Sequence, residues 1–515
     1  MASSIGSEDD VFENLKKKVD PKVVEERERL HNERLFAQHE KQQRRLGDLI
    51  DTNSTLPVTI SSVKVLGASH TRKGFLERVF KPLLSSNQQG PYTLAEALKE
   101  INTSADKLHK FDIFNPPISL YVDRPDQSDP SSTATDLSVF LSVREKSRLL
   151  LKTGTDLGNA EGSAYGNLLW RNILGGAESL NVNGSLGTRT RSSYSLNFET
   201  PILSNPDLLW EFGGLASSTQ KSWASHEEAL KGAGTKLRFT SSGGHRHELG
   251  YSYLWRQITG LAEKASQTVR ADAGDSVKSG IAHTWINDRR DNALLPQKGY
   301  LTKTMTEVAG WGPLKGDVAF LKTELETQGT LPIPIPGIKG RSGVTLTSGL
   351  RAGVLCPLTL PGQSQPESSC INDRFQLGGP TDVRGFRLSG LGPRDGQDAV
   401  GGDVYAAGGA SLLLPLPRVG ADTPLRFQAF VNGGRLLSLK NSPSTDGKGA
   451  QSMKDSVLST ISELGNELPS SAAGIGLVYA HPVARFELNF SLPLVVRRGE
   501  EGRKGLSFGV GINFM

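Results

Sequence analysis

Two segments near the end of the chain decide the fold: Arg485-Phe-Glu-Leu-Asn-Phe-Ser-Leu492 and Leu506-Ser-Phe-Gly-Val-Gly-Ile-Asn-Phe514. In both, large apolar side chains occupy every second position, and polar residues or glycine occupy the positions between them. Successive side chains of a β-strand point to opposite faces, so this period of two predicts strands with one apolar and one polar face. The segment Tyr194–Phe198 repeats the pattern.

The length of these segments distinguishes a membrane barrel from a soluble sandwich. Strands of soluble sheets usually have about five or six residues, whereas these have about ten, which is enough to cross a bilayer. Aromatic residues gather toward strand ends, as in Tyr251, Tyr253 and Trp255, which is typical of a membrane-interface girdle. The sequence therefore predicts a mainly β fold, with an antiparallel transmembrane β-barrel of about 16 strands over residues 147–515.

The composition agrees with a barrel and argues against other classes. Charged residues make up 22% of the 515 residues and mean hydropathy is -0.32. Because no run of about eighteen apolar residues occurs, transmembrane helices are not expected. A barrel is compatible with these values, since its lumen-facing residues keep the average hydropathy low. The net charge is only +5 and the basic residues are scattered, so nucleic acid is not an expected partner.

Two regions precede the barrel. Residues 1–55 are predicted to be a charged extension, partly helical or disordered, whose acidic start argues against a cleavable presequence. Residues 56–146 are predicted to form a small α+β domain in the order strand, helix, helix, strand, strand. Its expected elements are, in chain order, 58–66, 71–84, 93–109, 118–122 and 137–143.

The longest connection in the barrel, residues 356–402, is predicted to fold into the lumen. Long connections without secondary structure are usually functional or disordered, and this one mixes glycines with apolar residues. In it, Arg384 stands between Val383, Gly385 and Phe386. A buried arginine in such apolar surroundings needs a carboxylate partner.

Three motifs resemble the superfamily of POTRA-bearing outer-membrane assembly barrels. Val383-Arg-Gly-Phe386, with Leu377-Gly-Gly379 before it, is similar to the lumen-inserted sixth loop of that superfamily. Asp288-Arg-Arg-Asp291 with Pro296-Gln-Lys-Gly299 resembles its signature at a strand end and tight turn, and Ser507–Phe514 fits the mitochondrial β-signal. The positions that carry these two motifs are Asp288, Asp291, Pro296 and Gly299 for the turn, and Ser507, Gly509, Ile512 and Phe514 for the signal.

A single POTRA-like domain without a bacterial signal peptide makes the chain similar to the mitochondrial member, the barrel subunit of the sorting and assembly machinery. The resemblance covers about residues 56–515. One position departs from it: bacterial members usually have an acidic residue after the long loop, where this chain has Asn432. The partner of Arg384 therefore stays open between Glu487, which faces the lumen by strand alternation, and Asp403, at the exit of the loop. We expect Glu487.

The resemblance implies an insertase that folds β-barrel precursors into the mitochondrial outer membrane and recognises their C-terminal β-signal. It implies the mitochondrial porin and the general import pore as substrates, and two metaxin-like accessory subunits on the cytosolic side. With an even strand count, the N-terminal domain is expected in the intermembrane space. No cofactor, metal or enzymatic activity is expected.

An incoming strand needs an edge to pair with, and a closed barrel has none. We therefore expect a lateral gate between the first and last strands, where glycines at 505, 509 and 511 weaken the last strand. On the last strand the gate residues are those of the β-signal. On the first strand they are Leu149, Leu150, Leu151, Lys152 and Thr153.

The sequence is also compatible with other functions. A polypeptide-translocating pore of the same superfamily is the main rival, and a passive metabolite pore is a weaker one. The hydrolase-like motif at residues 505–509 lacks a following histidine, and His245 and His247 lack a third metal ligand. Cys356 and Cys370 are expected to be reduced, although the loop would accommodate a disulfide.

Overall fold

The computed structural model describes residue 29, several positions between 34 and 45, and then 47–85, 91–125, 132–133, 135–158, 161–334, 342–360, 363, 367–416, 423–439, 449–482 and 484–511. The predicted charged helix near residues 20–45 lies mostly outside the described residues, as do Ile512 and Phe514. The chain divides into two compact units. One contains residues 1–69 and 76–145, and the other contains residues 70–75 and 146–515.

The first unit is built on a four-stranded sheet with the order β2-β1-β4-β3. Strand β1 pairs antiparallel with β2 and parallel with β4, and β3 pairs antiparallel with β4. The order therefore repeats the predicted α+β pattern, with one extra two-residue strand. The elements are β1 (Pro57–Leu66), α1 (Lys73–Ser85), β2 (Tyr92–Thr93), α2 (Leu94–Lys110), β3 (Phe114–Asp123) and β4 (Asp136–Glu145).

Helix α2 begins at a capping box. The Thr93 hydroxyl accepts a hydrogen bond from the Glu96 backbone N–H at 3.3 Å, and the Glu96 carboxylate accepts one from the Thr93 N–H at 3.1 Å. The bond from Thr93 lowers the pKa of Glu96. The same helix buries Ala97, Ile101 and Leu108, which form part of the apolar core of this unit.

The second unit is a sheet of sixteen strands, each of which pairs antiparallel with its neighbours in the strand order. This confirms the predicted mainly β fold and strand number. The strands are β5 (Leu149–Gly158), β6 (Glu161–Arg171), β7 (Ser179–Gly187), β8 (Thr190–Pro201), β9 (Leu208–Lys221), β10 (His226–Thr240), β11 (Arg246–Thr259), β12 (Gly274–Asp288), β13 (Gly299–Ala309), β14 (Phe320–Pro332), β15 (Thr345–Pro357), β18 (Val404–Pro415), β19 (Leu425–Leu437), β20 (Ser470–Ala480), β21 (Arg485–Val495) and β22 (Gly505–Gly511).

The long loop lies between β15 and β18, which pair directly with each other. It contains the short strands β16 (Arg394–Asp395) and β17 (Asp398–Ala399), which pair as a small hairpin. Two helices lie in other connections: α3 (Gln267–Ala271) follows β11, and α4 (Gly449–Asn466) follows β19. Helix α4 contains the short helix that the sequence predicted near residues 452–464.

Across the described part of the chain, none of the helices is both long and apolar enough to span a membrane.

Strand β21 has the predicted two faces. Leu488, Phe490 and Leu492 are exposed on its outer face. Glu487 and Asn489, which alternate with them, are buried on the lumen side. An apolar outer surface and a polar interior are the arrangement of a membrane barrel.

The sheet closes at a seam, the boundary between β5 and β22. The two strands are neighbours in space, but no ladder pairing joins the described residues of one to those of the other. Among the described residues, the strand order therefore ends at β5 on one side of the seam and at β22 on the other.

Candidate functional site: the lumen loop and the seam

The long loop packs inside the barrel through its apolar residues. A single buried cluster combines loop residues with residues of the barrel wall. Its loop members are Phe375, Leu377, Val383, Phe386 and Leu391, and its wall members include Phe320, Leu355, Leu436 and Ala472. Gly385 has a φ of +86°, and a side chain there would place a Cβ 2.6 Å from the Ala472 Cβ. Only glycine lets the loop approach the wall so closely.

Arg384 forms a bidentate ion pair with Glu487 of β21. Its Nε lies 2.9 Å from Glu487 Oε2, and its Nη2 lies 3.2 Å from Oε1. The two side chains are 1% and 0% exposed. The guanidinium also lies 4.9 Å from the ring centroid of Phe430, in the range of a cation–π contact. We call this pair the Arg384 anchor.

Glu487 also accepts hydrogen bonds from two residues of its own strand. Arg485 Nη2 lies 2.6 Å from Oε1, and Asn489 Nδ2 lies 2.8 Å from Oε2. One buried carboxylate is therefore shared by two guanidinium groups. Sequence reasoning missed Arg485, although the same alternation that placed Glu487 in the lumen also places Arg485 there.

The departure at Asn432 has a structural explanation. With its side-chain oxygen toward the loop, the Asn432 amide accepts from the Arg384 backbone N–H at 2.8 Å. Its nitrogen then donates to the Arg384 carbonyl at 3.2 Å. Asn432 therefore binds the backbone of the residue whose side chain binds Glu487. An amide suits this position, because it both donates and accepts hydrogen bonds.

Asp403, the alternative partner of Arg384, is used elsewhere. Its carboxylate accepts from the Ser369 hydroxyl at 2.5 Å and from the Leu439 N–H at 2.9 Å. The residue is buried where β18 begins. It therefore joins the start of the loop to the segment that follows β19, and the structure pairs Arg384 with Glu487 instead.

A second ion-pair cluster holds the beginning of the loop and was not foreseen from the sequence. Asp373 Oδ1 lies 2.7 Å from Arg256 Nη1 on β11 and 3.6 Å from Lys278 Nζ on β12. Lys278 also lies 2.6 Å from Glu307 on β13. Lys322 on β14 donates to the Asp373 carbonyl at 3.0 Å. We call this cluster the Asp373 anchor.

The turn motif connects β12 to β13. Asp288 pairs with Arg290 at 2.8 Å, and Asp291 Oδ1 accepts from the Gln297 N–H at 2.9 Å. Pro296 is buried. Gly299 has a φ of +105°, and a Cβ there would lie 2.2 Å from the Arg289 carbonyl oxygen. The motif therefore builds a tight, glycine-dependent turn.

The same turn contacts the interior of the barrel. The Leu294 carbonyl accepts from Arg485 at 3.4 Å. The next residue, Leu295, packs in a buried cluster with Leu413 and Val478. The turn therefore touches one of the two arginines that share Glu487.

The predicted gate residues of the first strand lie on β5, where Leu149 to Thr153 pair with Trp170 to Gly166 of β6. On the other side of the seam, Ser507 and Gly509 of β22 pair with Asn489 and Glu487. Gly511 pairs with Arg485. The last strand therefore presents glycine opposite both charged lumen residues of β21.

A cavity of about 1630 Å³ lies beside this strand. Its lining includes Ser507 together with Leu506 and Phe508, which point to the opposite face of β22. The loop contributes Arg387 and Arg394 to the same lining. Residues from both faces of β22 therefore border the cavity.

Other candidate sites from the sequence have ordinary surroundings. Ser507 lies in a strand, not at a strand-to-helix turn. His247 Nδ1 lies 3.3 Å from His283 Nε2, and the described residues contain no group of three or more metal-ligating side chains. Cys356 and Cys370 are free thiols, so the disulfide that the sequence left open is not formed. Burial raises the pKa of Cys370 to about 11.

Comparison with known proteins places the chain in a family. The profile of the Omp85 superfamily domain matches residues 172–514. The SAM50-like protein of Schizosaccharomyces pombe is 40% identical over 98% of this chain and 99% of its own length. The sorting and assembly machinery component 50 homolog of Homo sapiens is 30% identical over 82% of this chain and 84% of its own.

A solved structure agrees at the level of the fold. BamA from Haemophilus ducreyi lacking POTRA domains 1–3 superposes with a TM-score of 0.67 at 15% identity. The match covers 88% of this chain and 84% of that one. The resemblance deduced from the loop, the turn and the last strand is thus confirmed. The chain belongs to the Omp85 superfamily and, within it, to the family of SAM50 proteins.

Proposed function

We propose that the protein inserts β-barrel precursors into the mitochondrial outer membrane. Its relative from Homo sapiens is named as a homolog of a sorting and assembly machinery component and matches 82% of this chain. The barrel fold is shared with BamA. The expected substrates are the mitochondrial porin and the general import pore, and the expected accessory subunits are metaxin-like proteins on the cytosolic side.

The observation that carries the mechanism is the edge of β5 at the seam. The described residues of β5 form no ladder with those of β22, and backbone groups that face lipid without a partner cost several kcal/mol each. A precursor strand that adds to β5 satisfies those groups by β-augmentation. Its closing strand has the same pattern as Ser507–Phe514 and therefore competes with β22 for β5. This is the lateral-gate reaction, with C-terminal signal recognition built into it.

The proposed reaction adds a new backbone ladder between the precursor strand and the edge of β5, which forms no ladder with the described residues of β22. The free energy of the inserted barrel comes from its own hydrogen bonds and from its apolar outer surface. No covalent step is needed, and the reaction requires no cofactor, metal or nucleotide.

A passive metabolite pore fits the loop less well. A conducting pore needs an open lumen, whereas here the loop is tied to the wall by a buried apolar cluster and two ion-pair anchors. A translocating pore of the same superfamily differs in its outcome: its cargo passes through the lumen and does not enter the membrane beside β5.

A cysteine pair across the seam tests the gate. Thr153→Cys with Val510→Cys, in a chain with Cys356→Ser and Cys370→Ser, should form a crosslink that blocks assembly of porin precursor in isolated mitochondria. The matched control is Leu488→Cys with Phe508→Cys, which joins β21 to β22 within an existing pair and leaves the seam free. Normal porin assembly with the Thr153–Val510 crosslink verified by gel mobility would refute the lateral gate.

Orientation is tested separately. The N-terminal unit, residues 1–69 and 76–145, is proposed to face the intermembrane space. Protease added to intact mitochondria should leave it uncut and should digest it once the outer membrane is ruptured. Digestion of this unit in intact mitochondria would reverse the proposed orientation.

A further inference from the structure

The lumen loop also binds the turn that precedes the last strand. This closing turn, residues 496–504, connects β21 to β22. The Arg387 N–H donates to the Glu501 carbonyl at 3.1 Å, and the Glu501 N–H donates to the Gly390 carbonyl at 2.9 Å. The Arg503 N–H donates to the Gly385 carbonyl at 2.8 Å. The loop and the turn therefore meet through backbone hydrogen bonds like those of a sheet.

Charged side chains reinforce this contact. Glu501 Oε1 lies 2.6 Å from Arg394 Nη1, and Oε2 lies 3.4 Å from Arg387 Nη1. The neighbouring Glu500 carboxylate accepts from the Gly392 N–H at 3.3 Å. Two arginines of the loop therefore bind one carboxylate of the turn. Beside them, the Gly392 N–H binds the Glu500 carboxylate and the Arg387 N–H binds the Glu501 carbonyl.

The surface that receives Glu501 is otherwise basic. Four arginines line the cavity beside it, together with two acids, Asp398 and Glu501 itself. Asp398 already accepts hydrogen bonds from the Ser225 hydroxyl at 2.5 Å and the Ser266 N–H at 2.7 Å. Without Glu501, this face of the loop would carry a net positive charge toward the seam.

We propose that the loop segment from Gly385 to Arg394 is a receptor for an acidic hairpin turn. In the resting protein the receptor holds the closing turn of its own barrel. A precursor whose final hairpin carries an acid at the position of Glu501, six residues before the residue equivalent to Ser507, competes for Arg387 and Arg394. This inference rests on the proposed function: the seam binds the closing strand, and the loop selects the turn before it.

A competing peptide measures this selection. Residues 496–515 of the chain, as a synthetic peptide, should inhibit assembly of radiolabelled porin precursor in mitochondria that carry the full protein. With Glu501→Lys the half-inhibitory concentration should rise about fivefold, the effect of losing a partly exposed ion pair. A peptide with Arg498→Glu as well as Glu501→Lys restores the net charge and should remain weak. Equal inhibition by the unmodified and Glu501→Lys peptides would overturn the inference.

A charge swap identifies the receptor. In mitochondria with Arg394→Glu, the Glu501→Lys peptide should become the stronger inhibitor of the two. Arg394→Gln, which perturbs the fold less, should reduce the difference between the peptides. If the two peptides differ in inhibition as much in both variants as in the unmodified protein, the residue at position 501 is recognised by another part of the protein. If the unmodified peptide does not inhibit at all, a closing strand does not compete at the seam, and the proposed function is wrong. If the unmodified and Glu501→Lys peptides inhibit equally, only the receptor role of the loop is wrong.

Discussion

The two anchors of the lumen loop are ion pairs of opposite polarity. At Asp373 the loop supplies the acid, and strands β11 and β12 supply the bases, Arg256 and Lys278. At Arg384 the loop supplies the base, and Glu487 supplies the acid from the strand next to the last one. The loop therefore spans the lumen with opposite charges at its two attachments.

The anchors also differ in how their charges are shared. At the Asp373 anchor, Lys278 keeps a second acid, Glu307, if Asp373 is lost. At the Arg384 anchor, one carboxylate serves both Arg384 and Arg485. Removing one member of a buried pair is costly because the other charge is left without compensation. Loss of Glu487 should therefore leave two charges uncompensated at the Arg384 anchor, whereas loss of Asp373 leaves only Arg256 uncompensated at the Asp373 anchor.

The largest effect is expected from Glu487→Ala. It leaves two buried guanidinium groups without their shared carboxylate, and we expect a loss of about 3–5 kcal/mol in the free energy of unfolding. The measurement is unfolding of the purified barrel in detergent with urea, followed by the heat-dependent shift in gel mobility. A loss below about 1 kcal/mol would show that solvent already screens this site.

Arg384→Ala should be milder, because Glu487 keeps Arg485 as a partner. We expect a loss of roughly 3 kcal/mol, against less than about 0.5 kcal/mol for the exposed control Arg498→Ala. A double-mutant cycle with Glu487→Ala should give a coupling above about 1 kcal/mol. Additive effects would mean that the two side chains act independently, contrary to their geometry.

Asp373→Ala sharpens the comparison. Since Lys278 retains Glu307 and only Arg256 loses its partner, we expect a loss of about 3 kcal/mol, at the low end of the range for Glu487→Ala. The same urea series measures it. A loss equal to that of Glu487→Ala would remove the distinction between the two anchors.

The smallest effect concerns Cys370, three residues before Asp373. Its pKa is raised by burial to about 11, from 9.0 in the unfolded chain. Between pH 9 and 11 the unfolded thiol ionises while the folded one stays protonated. The stability that depends on the neutral thiol is therefore complete below pH 9 and is lost as pH rises toward 11.

Alkylation by iodoacetamide in a Cys356→Ser chain checks this value. The rate should rise with a midpoint near pH 11 in the folded protein. With Asp373→Ala the midpoint should move toward 9, because the anchor that buries the thiol is weakened. A midpoint near pH 9 in the chain with Asp373 intact would mean that the thiol is already open to solvent.

Strand alternation explains which parts of this site could be predicted. It assigned Glu487 to the lumen, because the period of two is a local property of β21. It did not reveal the Asp373 anchor, since Arg256 and Asp373 are 117 residues apart and no local pattern records which strand the loop meets. The alternation gives the face of a residue, not its neighbours on that face.

The role of Asn432 illustrates the same limit. From the sequence, an amide in place of an acid looked like the loss of a partner for Arg384. In the structure the amide binds the backbone of Arg384, and the carboxylate comes from another strand. The charge balance of the lumen is set by side chains brought together from β19, β21 and the loop, so one position cannot reveal it.

The glycines of β22 have a consequence for ionic strength. Gly509 and Gly511 lie opposite Glu487 and Arg485 of β21. The last strand therefore adds no charge to the buried cluster, and it can separate from β21 without breaking an ion pair there. The closing turn, in contrast, is held by Glu501 and two arginines that are partly exposed. Salt screens such exposed pairs and leaves backbone hydrogen bonds almost unaffected. Within one hairpin, the turn is therefore salt-sensitive and the strand is not.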